Sequence, residues 1–362
     1  MKILNIPSSG LLGNNGPWPA FALNVGTPPQ TVSVMAATSK FNIWTVPPVG
    51  CQSMASVPDC EEFRGGFFDP EKSHSFKEIQ GDDPLFQAPF NSEIMLGYDG
   101  TTEFGTDIVS LDGAGGSELL LGNQAIASFT DTNPFLTTGL LGLVDEPLNI
   151  TGEGDSHRSP VEALYTAKEI SSKFWAYNAG ARYRNPAKEA SLTIGGYDAG
   201  RGGNLQKDAL SVKMAGNHFR DLVVSIQGFS ASASDSWHRL TPFQAFIDSV
   251  MPDIWLPQAM CSFIAEELGI EWNVTAGLYL LDESQRQRLA ESEKGRITLQ
   301  LGIPGVPDGE AIKISLPYGA FVSEARYPLA GIEDGLTQHY FALQPAQNYS
   351  QVYLGHAFLQ EA

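Results

Sequence analysis

Two stretches of the chain place residues suited to acid–base chemistry at matching distances from an Ile-Trp pair. They are ATSKFNIW at residues 37–44 and DSVMPDIW at residues 248–255. The first position is Ala37 in one stretch and Asp248 in the other, and a hydroxyl residue, Thr38 or Ser249, follows it. A carboxylate can act as a general base, whereas an alcohol needs a base such as histidine beside it. Asp248 is therefore the candidate catalytic group, with a structural role as an acceptor for loop amides as the alternative, and Ala37 offers no such group.

A second pair of short motifs indicates an internal repeat. The sequence LLG at residues 140–142 follows the first stretch, and YLG at residues 353–355 follows the second at nearly the same separation. Two halves with the same landmarks at the same spacing predict two similar lobes. The matching loops are expected to face each other across a cleft.

These motifs resemble those of the pepsin-like aspartic peptidases. Each lobe of that family has an Asp-Thr-Gly or Asp-Ser-Gly loop, then an apolar residue and Trp or Leu, and later an apolar-apolar-Gly segment. Further similar segments are FALNVGTPPQ at residues 21–30, FDPEKSHSF at residues 68–76 and SLTIGGYD at residues 191–198. The resemblance covers nearly the whole chain and implies a mainly β, bilobal acid-protease fold with a few short helices.

The resemblance also implies the division into domains. An N-terminal lobe is expected over residues 15–180 and contains the first loop, and a C-terminal lobe is expected over residues 181–362 and contains the second. Relatives add a further pair of strands after the segment that matches residues 353–359. The C-terminal lobe is therefore expected to be truncated at its end.

The chain departs from the family at its catalytic loops. Ala37 stands where the family has its first catalytic aspartate, and Ser39 and Val250 stand where it has glycines. In aspartic proteases two carboxylates share a proton and act together as acid and base. We therefore expect an inactive pseudo-protease that binds a peptide or protein partner in its cleft, with a weakly active acid endopeptidase and a truncated gene product as the alternatives. By analogy, the hydroxyls of Thr38 and Ser249 tie the two loops together.

Other family features fall on a tyrosine and a pair of cysteines. Tyr98 matches the tyrosine of the flap, the hairpin that closes over substrate, although an ordinary strand tyrosine would explain it equally well. The resemblance implies a disulfide between Cys51 and Cys60, with two reduced thiols as the alternative. Cys261 lies in a helix predicted over residues 256–268 and is expected to be a buried apolar residue.

Composition limits the classes of partner. The formal net charge of −19 argues against nucleic acid and anionic membrane surfaces and favours a solvated acidic shell. The sequence contains no run of about eighteen apolar residues, so it predicts no membrane-spanning helix. The histidines form no metal-type pair, so the sequence predicts neither a metal site nor a cofactor. We expect a monomer.

Three sequons fit a secreted glycoprotein, and they begin at Asn149, Asn273 and Asn348. The family resemblance implies a secreted or vacuolar location. Residues 1–7 do not have the pattern of a signal peptide, because Asn5 and Pro7 interrupt the apolar run.

Local patterns predict several elements. Residues 18–46 alternate apolar and polar side chains around Gly26 and two prolines, which predicts two strands joined by a turn. Residues 159–170 predict a helix with Ser159 as its N-cap. Residues 174–177 and 222–226 predict strands, and DGAGGS at residues 112–117 predicts a hairpin turn rather than a phosphate site.

Overall fold

The computed structural model describes residues 2–16, 18–54, 57, 59–79, 100–112, 118–131, 138–149, 156–200, 209–216, 220–231, 237–292, 294–329, 331–333 and 335–361. Contacts between Cα atoms divide the chain into two compact units. The first comprises Met1–Tyr177 and Ala190–Asp198, and the second comprises Asn178–Glu189 and Ala199–Ala362. The chain therefore passes between the units more than once near residue 180.

Strands dominate both units, which confirms the predicted mainly β fold. As far as residue 194 they are β1 (Leu4–Ile6), β2 (Ser8–Leu12), β3 (Trp18–Val25), β4 (Gln30–Ala37), β5 (Ile43–Thr45), β6 (Lys77–Glu78), β7 (Gly100–Asp112), β8 (Glu118–Asp131), β9 (Gly139–Gly142), β10 (Leu148–Asn149), β11 (Ser156–His157), β12 (Trp175–Asn178) and β13 (Ser191–Ile194). The remaining strands are β14 (Val223–Ser230), β15 (His238–Ile247), β16 (Ile254–Pro257), β17 (Glu271–Asn273), β18 (Leu278–Leu281), β19 (Arg296–Gly302), β20 (Ala311–Pro317), β21 (Val322–Arg326), β22 (Thr337–Phe341), β23 (Leu343–Ala346) and β24 (Tyr353–Leu354).

The α-helices of the described residues are short. They are α1 (Cys60–Phe63), α2 (Pro160–Thr166), α3 (Gln258–Leu268), α4 (Glu283–Ala290) and α5 (His356–Leu359). Within the described ranges, none of them has the length and apolar character needed to cross a membrane.

The main sheet of the first unit has the strand order β2-β3-β4-β9-β5-β8-β7-β6. An additional pairing between β3 and β7 connects strands from distant parts of this order, so the sheet curls back on itself. The predicted strand pair over residues 18–46 is present as the β3–β4 hairpin, in which Phe21 lies opposite Val34. Both side chains are fully buried and belong to the core of this unit.

A buried carboxylate fixes the turn between β3 and β4. Asp107 on β7 accepts hydrogen bonds from the hydroxyls of Ser73 at 2.7 Å and Ser75 at 2.6 Å. The Ser73 hydroxyl in turn accepts from the backbone N–H of Thr27 at 3.1 Å. Gly26 has a φ of +85°, and a Cβ there would lie 2.6 Å from the Ser73 hydroxyl. The turn therefore requires glycine both for its backbone conformation and for the close approach of Ser73.

Helix α2 begins where the sequence predicts and ends earlier. The Ser159 hydroxyl accepts from the backbone N–H of Glu162 at 3.2 Å, which makes it the N-cap. The helix ends at Thr166, because Lys168 adopts a left-handed conformation with a φ of 62°. The chain then turns and buries Ile170 in the core, so the apolar residue that extended the predicted helix belongs to the following loop.

The second unit contains a seven-stranded sheet of order β20-β19-β14-β15-β24-β16-β23 and a four-stranded sheet of order β17-β18-β22-β21. Helix α3 packs its apolar face on this unit, with Cys261, Ile264 and Leu268 buried at helical spacing. The predicted burial of Cys261 is confirmed, and its Sγ lies 3.4 Å from the carbonyl oxygen of Gln344 on β23. Burial raises the pKa of this thiol to about 12.

Candidate functional site

The first loop leaves the end of β4 and is held by the strand that carries the LLG motif. Ala37 lies opposite Gly142 in the parallel pair of β4 and β9. The backbone N–H of Leu143 donates to the carbonyl oxygen of Ala37 at 3.0 Å, and that of Val144 donates to the carbonyl oxygen of Lys40 at 2.9 Å. Backbone hydrogen bonds therefore define the loop, whatever side chain stands at position 37.

The second loop leaves the end of β15 in the corresponding way. The backbone N–H of Asp248 donates to the carbonyl oxygen of Leu354 at 3.3 Å, and that of His356 donates to the carbonyl oxygen of Met251 at 2.8 Å. Within each unit the loop leads into a short strand that pairs antiparallel with the LLG or YLG strand. Trp44 lies opposite Leu140 in the first unit, and Trp255 lies opposite Tyr353 in the second. The internal repeat is thus present in the backbone of both units.

The glycine of each repeated motif is required by the loop beneath it. A Cβ at Gly142 would lie 2.6 Å from the carbonyl oxygen of Asn42, and one at Gly355 would lie 2.5 Å from the carbonyl oxygen of Asp253. Such distances between a Cβ and a backbone oxygen are too short for any L-residue. The matching glycines therefore permit the same close crossing of backbone segments in both units.

Only the second loop carries a carboxylate at the first position. Asp248 is buried, with 3% of its surface exposed, and its Oδ1 accepts from the backbone N–H of Val250 at 2.9 Å. Ala37 is also buried and has no group that can take up or release a proton. Thr38 and Ser249 are buried next to these positions, as are Ser39 and Val250.

The first loop contains a buried lysine that the sequence motifs do not identify. Lys40 is fully buried, and its Nζ lies 5.5 Å from the centroid of the Trp44 ring. Burying an ammonium group costs free energy that its surroundings must offset. The local sequence gives no signal of this burial, because Thr38, Ser39 and Asn42 around Lys40 are polar.

A second acid near Asp248 was also missed. Asp253 is buried, and its two carboxylate oxygens accept from the Tyr340 hydroxyl at 3.0 Å and the Gln344 amide at 3.1 Å. Burial raises the pKa of Asp253 from 3.8 to about 6, although both hydrogen bonds act in the opposite direction. This carboxyl group is engaged by β22 and β23, so its contacts indicate a structural role.

The loop that follows the YLG motif buries a histidine. His356 is the first residue of α5, and burial lowers the pKa of its imidazole from 6.5 to about 3. The ring is therefore neutral in the folded protein above about pH 4. Among the described residues, no three His, Cys, Asp or Glu side chains form a set that could hold a metal ion.

The disulfide implied by the resemblance is present. Cys51 and Cys60 are bonded, and their Cα atoms are 6.1 Å apart. It closes a loop between a 3-10 turn over Pro48–Met54 and helix α1. The alternative of two reduced thiols is wrong.

The structure describes some of the remaining predicted site residues and not others. Tyr98 and most of the predicted turn at residues 112–117 lie outside the described residues. Asn273 and Asn348 are exposed, and Asn348 caps a 3-10 turn by accepting from the backbone N–H of Ser350 at 2.9 Å. The backbone of Asn149 lies in β10, and the rest of its sequon is outside the described part. Glycosylation at all three stays a prediction.

Comparison with known proteins agrees with the geometry of the two loops. Residues 20–362 match the family described as eukaryotic aspartyl protease. A segment of 144 residues is 29% identical to aspartic proteinase yapsin-3 of Saccharomyces cerevisiae. This segment is 40% of this chain, and it spans only about a quarter, 25%, of the length of that relative. The family match extends over most of the chain, including both loops and both glycine motifs, and the chain therefore belongs to the eukaryotic aspartyl protease family.

Proposed function

We propose that this protein is a catalytically inactive homologue of the aspartic peptidases that binds a peptide or protein partner in the cleft implied by the family resemblance. The observation that carries the proposal is Ala37, which occupies the first position of a loop whose backbone framework matches that of the Asp248 loop. The framework is retained and one of the two acids is absent.

The chemical argument concerns the number of carboxylates. Peptide hydrolysis by this family uses one carboxylate to activate water and a second to protonate the carbonyl of the substrate. Help from one positioned acid or base is typically worth about 10² to 10⁴ in rate. The side chains of Ser39 and Val250 also occupy positions that are glycine in the active family motif. We therefore expect hydrolysis to be undetectable or very weak.

Retention of the buried loop framework supports a binding role. Glycines at 142 and 355 still permit the close backbone crossings, and the hydroxyl residues Thr38 and Ser249 are still buried. These features keep both loops folded in the form that carries the family's cleft, although one of the two carboxylates is absent. The disulfide between Cys51 and Cys60 supports an oxidising compartment, and we propose a secreted or vacuolar, monomeric protein.

The activity arm of the test uses purified protein and unfolded protein substrate at acid pH. We expect no hydrolysis above that of an Asp248→Asn variant, and weak binding of pepstatin-like inhibitors, whose central hydroxyl is suited to two carboxylates. The triple variant Ala37→Asp, Ser39→Gly, Val250→Gly is the fair attempt at restoring activity. The unaltered protein could instead show hydrolysis that pepstatin inhibits and that Asp248→Asn abolishes. That result would establish that the protein is a weakly active endopeptidase.

The binding arm of the test screens the unaltered protein against a displayed library of random peptides. We expect enrichment of a peptide family and competition among its members for one site. Absence of any enriched peptide, with a folded protein verified by circular dichroism, would contradict the proposed binding role.

A further inference from the structure

A pocket of about 360 Å³ lies in the second unit, beside the strands that lead into the Asp248 loop. Val223 on β14 and Phe246 on β15 are direct partners across the sheet, and both line it. Ile303, which follows β19, adds another apolar wall. This volume is within the range of pockets that hold small ligands or single side chains of a bound chain.

The polar side chains of the described residues that line this pocket are cationic or neutral. They are Lys213, Arg220 and Gln244, and none of the described lining residues is acidic. The segments that carry the two cations are joined by a hydrogen bond from the backbone N–H of Ala215 to the carbonyl oxygen of Asp221 at 3.1 Å. The chain has 41 acidic and 22 basic residues, so two cations among the described residues of this pocket, with no acid beside them in that lining, reverse the overall charge locally.

Aromatic rings hold the guanidinium group of Arg220. Its Cζ lies 4.5 Å from the ring centroid of Phe246 and 5.6 Å from that of Tyr353. Stacking of this kind orients the planar group and lowers the entropy lost when it binds an anion. The Nε atom is buried without a hydrogen-bond partner, and no carboxylate of the described residues pairs with this arginine. Within the described part of the chain, Arg220 is therefore an oriented cation without a counter-ion.

We propose that this pocket binds the carboxylate of an acidic peptide side chain, aspartate or glutamate. The guanidinium of Arg220 would donate to the carboxylate oxygens, Lys213 would add a second positive charge, and the methylene groups would pack on Phe246 and Val223. The assignment rests on the proposed function, since it takes the occupant to be part of a peptide partner. It adds that the partner presents an acidic residue.

The direct test observes the Nε–H signal of Arg220 by NMR, with nitrogen-15 introduced at arginine. The probes are N-acetylglutamate N-methylamide and the matching glutamine compound, which differs only in lacking the charge. We expect the glutamate probe to shift the Arg220 signal in a saturable way and the glutamine probe to leave it unchanged. Equal shifts with both probes, or none with either, would overturn the proposal. Inorganic phosphate that saturates the signal at lower concentration than the glutamate probe would assign the pocket to phosphate instead.

The second test uses peptides enriched from a random library. Arg220→Gln is expected to weaken binding of acidic peptides at least about tenfold, the low end for a hydrogen bond to a charged group. Arg239→Gln removes the same charge from an exposed position on β15 and is the matched control. Arg220→Lys should recover only part of the affinity, because lysine lacks the planar fork.

The two proposals fail in different ways. Peptides that bind with no preference for acidic residues, and equally well to Arg220→Gln, would leave the proposed function standing and overturn the assignment of the pocket. Saturable binding of the glutamate probe to a protein that enriches no peptide would support the pocket and contradict the peptide-binding function.

Discussion

The buried carboxyl group of Asp253 makes the stability of this protein depend on pH in a direction unusual for an acid. Its pKa is about 6 in the folded protein against an ordinary 3.8, and loss of solvation is the main cause. The folded state therefore binds a proton more tightly than the unfolded chain. The resulting stabilisation is fully present below about pH 4 and is lost as the pH rises through 6.

The magnitude follows from the size of the shift. A rise from 3.8 to about 6 corresponds to at most about 3 kcal/mol, and about 2 kcal/mol of this is lost between pH 4 and pH 7. The Asp253→Asn variant removes the titration and keeps an oxygen that can accept from Tyr340. The variant loses the hydrogen bond from the Gln344 amide, because the asparagine NH2 group cannot accept it. This loss lowers the free energy of unfolding by about 1 kcal/mol at every pH.

The assay is urea denaturation of both proteins at pH 4, 5, 6 and 7, followed by tryptophan fluorescence. The free energy of unfolding of Asp253→Asn, relative to that of the wild type, should rise by about 2 kcal/mol from pH 4 to pH 7. His356 titrates equally in both proteins, so its contribution cancels, and the exposed Asp308→Asn controls for loss of one charge. A difference that stays constant with pH, or that falls, would refute the reasoning from burial.

Three further changes test other features. Gly355→Ala should lower the free energy of unfolding by more than about 2 kcal/mol, because its Cβ would meet backbone oxygens, whereas Gly122→Ala, which has no atom within 4 Å of its Cβ, should change it little. The neutral, buried His356 should stabilise the protein above about pH 6.5 and lose about 3 kcal/mol of that contribution by pH 4, measured against His356→Gln. Cys51→Ser should cost about 2 to 3 kcal/mol by opening a short disulfide loop, which urea denaturation with and without reductant can check.

The parts of the fold that the sequence predicted depend on short-range patterns. Gly26 and its two neighbouring prolines mark a turn that only a few backbone conformations allow, and Ser159 followed by proline marks a helix start. The repeated motifs with Gly142 and Gly355 were recognisable because a close backbone crossing leaves no other residue possible. Such constraints act locally, so they remain visible in a linear sequence.

The features that were missed depend on burial, which is a property of the folded chain. Nothing in the local sequence distinguishes Lys40 from a solvated lysine, and Asp253 acquires its partners from strands that lie about ninety residues further along the chain. The pairing of Arg220 with the rings of Phe246 and Tyr353 likewise joins separate segments. The helix predicted as far as residue 170 ended early because the core, rather than helical periodicity, determined where Ile170 lies.

The pairing of β1 with β13 has a consequence for how the first unit is made. Leu4 lies opposite Ile194, and both side chains belong to the same core. A ribosome must therefore release almost two hundred residues before this sheet can form, and the entropy of closing so long a loop must be overcome first. Until then the β1 strand and the core face it covers are exposed to other chains. Folding of the first unit should consequently finish late in synthesis, and its nascent form should be the stage at which chaperones bind.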